Sequence, residues 1–179
     1  VSAGWRISQE KFFKIKPVSE LKIRASYGLT GNDDIPPFLY AELYGNTSYG
    51  GQPGIYPSNI PNPDLKWEST AQLDVGLDIG LFKDRILLTA DYYNKQTKDL
   101  LLSRPLPTSS GFSTITENVG EVENKGIELS ITSQNLQNKK LTWTTTVNFS
   151  ANRNKVLKLY NNQPIDDLGR GSNRIEVGE

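Results

Sequence analysis

The chain has 179 residues, enough for one ordinary domain with a core, and its 20 Lys and Arg balance 20 Asp and Glu to a formal net charge of zero. That balance gives no electrostatic reason to expect a nucleic-acid partner. With no Cys and no His, the sequence excludes disulfide frameworks, thiol nucleophiles, the commonest zinc ligands, and the Ser-His-Asp and Cys-His arrangements.

No run of apolar residues approaches the length of a membrane-spanning helix. The opening residues alternate from the start, with Val1, Ala3, Trp5 and Ile7 against Ser2, Gly4, Arg6 and Ser8. They lack the basic start and apolar centre of a signal peptide and read as the middle of a strand, so the numbering is expected to begin inside a larger protein. A short connection at residues 9 to 17 leads to a second strand. There Leu21, Ile23, Ala25, Tyr27 and Leu29 face one way while Lys22, Arg24, Ser26 and Gly28 face the other.

Residues 31 to 65 read as a long loop rich in Pro, Gly and Asn. Tyr40, Tyr44, Tyr49 and Tyr56 lie in it and are candidates for presenting flat aromatic faces to a sugar or for touching a partner protein. Ordinary loop packing is the plainer reading of the same residues. Asp33-Asp34 lacks the twelve-residue pattern of a calcium loop and reads as solvated turn carboxylates.

Residues 67 to 81 alternate most clearly. Trp67, Ala71, Leu73, Val75, Leu77, Ile79 and Leu81 fall on one side, and Thr70, Gln72, Asp74, Gly76, Asp78 and Gly80 on the other. A two-residue turn at Lys83-Asp84 then sets Leu81 beside Ile86, Ile79 beside Leu88, Leu77 beside Ala90 and Val75 beside Tyr92. Both apolar faces land on one side, as a hairpin requires. A second long connection is expected over 100 to 117. Beyond it, Ile127, Leu129 and Ile131 pair with a strand carrying Leu141, Trp143, Val147 and Phe149. Setting Ile131 against Leu141 leaves Gln134 to Asn138 as the turn, with another long segment from 155 onward.

Asp74, Asp78, Asp91 and Glu128 resemble acid/base candidates only in composition, because they repeat along a polar face. A glycan-cleaving enzyme would need two carboxylates at a set separation, and nothing singles out such a pair. Gly169-Arg170-Gly171 lacks the rest of a phosphate-binding motif. Lys139 and Lys140 read as turn solvation. No catalytic residue, metal site or cofactor is expected.

The fold class is therefore all-β, an antiparallel up-and-down sheet of about six long strands with short and long connections taking turns. Alternation alone fits a soluble β-sandwich too, for instance a carbohydrate-binding or adhesin-type surface module. Strands this long, aromatics near their ends (Trp5, Tyr27, Trp67, Tyr92, Phe149) and polar faces rich in Gly, Asp, Asn, Ser and Thr favour a barrel in an outer membrane.

A more specific resemblance runs through the chain. Gly4-Trp5-Arg6-Ile7-Ser8, Leu21-Lys22-Ile23-Arg24-Ala25-Ser26-Tyr27-Gly28 and Asn62-Pro63-Asp64-Leu65-Lys66-Trp67-Glu68 carry its first half. Asp91-Tyr92-Tyr93, Asp99-Leu100-Leu101, Asn118-Val119-Gly120 and Glu123-Asn124-Lys125-Gly126 carry its second. In order and spacing these resemble the barrel of SusC/RagA-type TonB-dependent transporters.

That resemblance implies a stretch, over residues 1–179, of a roughly 22-stranded transmembrane β-barrel in the outer membrane of a Gram-negative bacterium. It implies import of oligosaccharides or peptides, a SusD-like surface lipoprotein as lid, and TonB acting through a plug. No plug, TonB-contacting segment or barrel-closing C-terminal strand is seen in these residues, so the fragment alone is expected to transport nothing.

Overall fold

The computed structural model describes residues 1–35, 37–166 and 174–178. Ten strands appear among them: β1 Ser2–Arg6, β2 Val18–Asn32, β3 Tyr44–Tyr49, β4 Gln52–Pro57, β5 Glu68–Leu81, β6 Ile86–Pro105, β7 Thr114–Gln137, β8 Thr142–Lys158, β9 Ile165–Asp166 and β10 Arg174–Ile175. Six form one antiparallel sheet in the order β1-β2-β5-β6-β7-β8, while β3-β4 and β9-β10 are separate two-stranded ribbons. Among the described residues no helix is long and apolar enough to cross a membrane.

The backbone divides into two compact units. One holds residues 1–29, 71–96 and 123–154, and all three short connections fall in it. The other holds 30–70, 97–122 and 155–179, with the long connections. The long strands belong partly to each.

Period-two alternation makes these strands, and the ladder keeps its faces in step. In β1 and β2, Trp5 pairs with Ile23 and Ala3 with Ala25, while Gly4 pairs with Arg24 and Ser2 with Ser26. Across β5 and β6, the Thr70 and Thr97 hydroxyls are 3.0 Å apart, and Asp91 lies over Gly76. Both contacts fit the register that sets Leu81 beside Ile86. The turn itself takes four residues, Phe82–Arg85, rather than two. Phe82, Lys83 and Asp84 have φ of 55°, 61° and 63°. Asp84 is fixed there by Ser19, whose hydroxyl donates to its carboxylate at 2.6 Å.

The β7-β8 register differs from expectation. Ser130 bonds Asn148 at 2.8 Å and Thr132 meets Thr146 at 3.1 Å, so Ile131 lies opposite Val147, six positions from Leu141. The turn is not Gln134–Asn138 but the segment from Asn138 to Leu141. There the Asn138 side chain accepts from the Lys140 and Leu141 amides at 2.9 and 2.7 Å. An even shift leaves each face as expected. The long connections also shrink. β6 and β7 extend to leave only 106–113 between them, β8 runs on to Lys158, and the loop after β2 contains the β3-β4 ribbon. Trp67 precedes its strand.

The sheet has one wet face and one greasy face, and neither makes a core. Among the described residues only Val156 and Leu159 are buried apolar side chains. Leu73 and Val75 are 41% and 40% exposed, and Trp143, Val147 and Phe149 are 56%, 57% and 55% exposed. Leu77, Ile79 and Leu88 are only half-buried. A water-soluble sandwich would bury these under a second layer.

Candidate functional site

On the polar face of the first unit, Arg24 of β2 lies across β5 and reaches β6. Its Nε and Nη2 donate to Asp78 at 2.8 and 3.0 Å, and Nη2 also donates to Asp91 at 3.0 Å. A side chain can lie this way because position 76 is glycine: a Cβ there would collide with the Asp91 carboxylate and the guanidinium. Asp74 accepts from Ser26 at 3.1 Å and from Gln72 at 2.9 Å. Arg24, Asp74 and Asp91 border a concavity of about 350 Å³, lined also by Gly4, Ser26 and Gly76. A second, of about 340 Å³, takes in Glu128, Asn148 and Asp91.

Asp78 and Asp91 are thus partners of one cation, which suits a wetted wall better than proton transfer. Arg24→Gln should lower stability by about 1 kcal/mol, since two carboxylates lose a shared, partly exposed cation. Urea unfolding of the detergent-folded full-length protein, at low and high salt, reads this. An unchanged midpoint at low salt would mean the network contributes nothing.

In the second unit, Arg104 makes a bidentate pair with Glu117 at 2.9 and 3.1 Å and sits 4.2 Å over the Tyr160 ring. Asn118 clamps the segment before β5: its amide donates to the Lys66 carbonyl at 2.8 Å and its oxygen accepts from the Lys66 amide at 2.8 Å.

The four tyrosines do not form one cluster. Tyr40 lies before the ribbon, 6.4 Å from the Phe38 ring. Tyr44, at the start of β3, pairs with Pro57, whereas Tyr56 pairs with Gly45 and Tyr49 with Gln52. Alternation therefore puts Tyr49 and Tyr56 on one face and Tyr44 on the other. The Glu42 carboxylate, accepting a hydrogen bond from Tyr44, holds that phenol above its ordinary range. Among the described residues no group of three acidic side chains could hold a metal ion. Gly169-Arg170-Gly171 lies outside the described residues.

Sequence reasoning missed the Arg24 clasp, the Arg104–Tyr160 contact and the ribbon. Only the last had a local signal. Gly50-Gly51 between Tyr49 and Gln52 is a strong hairpin pair, and both glycines adopt positive φ, 58° and 79°.

Residues 1–175 match the family model described as TonB dependent receptor-like, beta-barrel. The chain belongs to the TonB-dependent receptor β-barrel family. It is 43% identical to TonB-dependent receptor P39 of Formosa agariphila, with all of the chain covered and 17% of that protein. It is 35% identical to TonB-dependent receptor SusC of Bacteroides thetaiotaomicron, covering 99% of the chain and 19% of SusC. Among solved structures it is similar to the RagAB peptide transporter, with a TM-score of 0.87 and 31% identity over 99% of the chain and 20% of the other. The chain thus spans about a fifth of the length of these relatives. It is a SusC/RagA-like segment, and proteins of this family reside in the outer membrane of Gram-negative bacteria. Its relatives are transporters and receptors rather than enzymes.

Proposed function

We propose that residues 1–179 are a wall segment, and the whole of a partial barrel domain, within a 22-stranded outer-membrane barrel of the kind used by TonB-dependent transporters. The barrel imports oligosaccharides or peptides, without catalysing a reaction on them. A SusD-like surface lipoprotein closes the outer mouth, and TonB supplies energy through a plug formed by the rest of the protein. The observation that carries this reading is the uncovered apolar side of the sheet, which only lipid can cover without a second layer.

In a barrel the open ladders of β1 and β8 pair with further strands, which removes the edges this segment leaves. Long connections belong at the outer surface and short ones at the periplasmic side. The loop that carries Tyr40, Tyr44, Tyr49 and Tyr56 then stands at the outer mouth, where one face of its ribbon meets the ligand or the lid protein.

Fractionation and uptake test the proposal together. The full-length protein should sediment with outer membranes, require detergent, and co-purify with the product of a neighbouring lipoprotein gene. Deleting its gene or tonB should abolish uptake of the same nutrient. Release in soluble form without detergent would instead favour a surface binding module.

A further inference from the structure

The β3-β4 ribbon has two unlike faces. Tyr44, Ile55, Pro53 and Pro57 share one; Tyr49, Tyr56, Thr47 and Gln52 share the other, with Gly45 and Gly54 between them. The Tyr56 ring lies directly over Gly45, where a Cβ would come within 2.7 Å of the ring. Lacking a side chain, Gly45 leaves room for the hydroxyl end of that ring against the ribbon. Tyr49 is 88% exposed and Tyr56 48%. Gly45 lies four positions before Tyr49, so the two tyrosines stand about 13 Å apart along the ribbon. That is longer than one sugar ring; Thr47 offers a hydroxyl in the interval and Gln52 an amide beside Tyr49.

Charge narrows the ligand. From Ile35 to Pro63 the only ionisable acid or base with a formal charge is Glu42, outside the ribbon. A surface of tyrosine, hydroxyl and amide with no fixed charge offers a carboxylate or ammonium no ion-pair partner, but it can stack on ring faces and bond neutral hydroxyls. Tyrosine supplies this area with little loss of side-chain freedom.

We infer that the Tyr49–Tyr56 face of this ribbon binds an extended, uncharged oligosaccharide, and that Tyr44 on the reverse face takes no part. The inference rests on the importer reading and chooses between its two substrate classes.

The experiment uses the full-length protein in detergent, titrated with neutral gluco-, manno- and fructo-oligosaccharides, a uronic-acid oligomer and mixed short peptides. At least one neutral hexasaccharide should bind more tightly than its disaccharide by about tenfold. Tyr49→Ala and Tyr56→Ala should each weaken binding by about tenfold, while Tyr44→Ala changes it less than about twofold. Tyr49→Phe should retain most of the affinity, and unchanged heat-modified gel migration shows the variants folded. Binding of only the uronate or the peptides, binding of no probe, or an equal loss with Tyr44→Ala overturns the assignment. The two readings fail differently. If gene deletion leaves sugar uptake intact, the importer reading falls. If deletion abolishes uptake while Tyr49→Ala and Tyr56→Ala bind as the parent does, only the ribbon face falls.

Discussion

Gly126→Ala should destabilise the folded barrel by about 1–3 kcal/mol, towards the upper end of that range. Gly126 sits in β7 between two other strands' groups. A Cβ there would come within 2.5 Å of the Ala151 backbone oxygen in β8 and 2.7 Å of the Tyr93 hydroxyl in β6. The tyrosine tip can swing aside, but a ladder carbonyl moves only if β8 moves with it. Tyr93→Ser should therefore not rescue Gly126→Ala. The comparison is Gly31→Ala, where the nearest atoms to the new methyl all belong to the Trp67 ring. Trp67 is 61% exposed and free to turn outward, so Gly31→Ala should cost less, and Trp67→Ala should relieve it. The folded fraction across a urea series, read by heat-modified gel mobility, separates the four variants. Equal costs at positions 31 and 126 would contradict the argument.

Val75→Arg should cost about 2–4 kcal/mol, the penalty for a cation on the lipid face deep in the bilayer. Val75 lies midway along β5, on the apolar side, and is 40% exposed. Were water its neighbour, a charge there would be nearly free, because exposed sites away from special features usually change stability by no more than about 0.5 kcal/mol. Gln72→Arg, on the opposite face beside Asp74, provides that reference and should stay near neutral. The two variants differ by three positions and one face. Unfolding of each in lipid vesicles measures the difference, and equal stability would remove lipid from the account.

Much of the fold was legible because strand alternation is a local property. Trp5 and Ile23 fall on one side of the sheet for the reason that made them readable: they sit at odd positions among polar even ones. Turns were harder. Residues 134 to 138 carry a single apolar residue, Leu136, so Gln134 to Asn138 read as a turn, yet 134 to 137 continue β7. The real turn is closed by the Asn138 side chain, a choice decided by hydrogen bonds rather than hydropathy. The sequence puts a connection from residue 100 because Leu100, Leu101 and Leu102 break the alternation. Asp99 has φ of 56°, the mark of a bulge that re-aims the strand without ending it.

The site was legible only in outline. The loop's tyrosines stood out by composition, but which of them share a face depends on the Gly50-Gly51 turn that sets the register. The Arg24 clasp joins three strands, through partners 54 and 67 residues away, and no local pattern encodes such a pairing. Gly76 has its meaning only once Arg24 is laid over it.

A single-cysteine scan along β5 examines the lipid-facing assignment most directly, since this chain contains no Cys of its own. Cysteines placed singly at residues 72 to 79, leaving out Gly76 because a side chain there would displace Arg24, in an otherwise Cys-free full-length protein would be labelled in outer-membrane vesicles. A lipid-borne quencher should reach probes at 73, 75, 77 and 79, and a water-soluble reagent should reach 72, 74 and 78. Water-accessible labels at Leu73, Val75 and Leu77, or quenching with no two-residue period, would contradict a wall with acyl chains on one side and a wet lumen on the other.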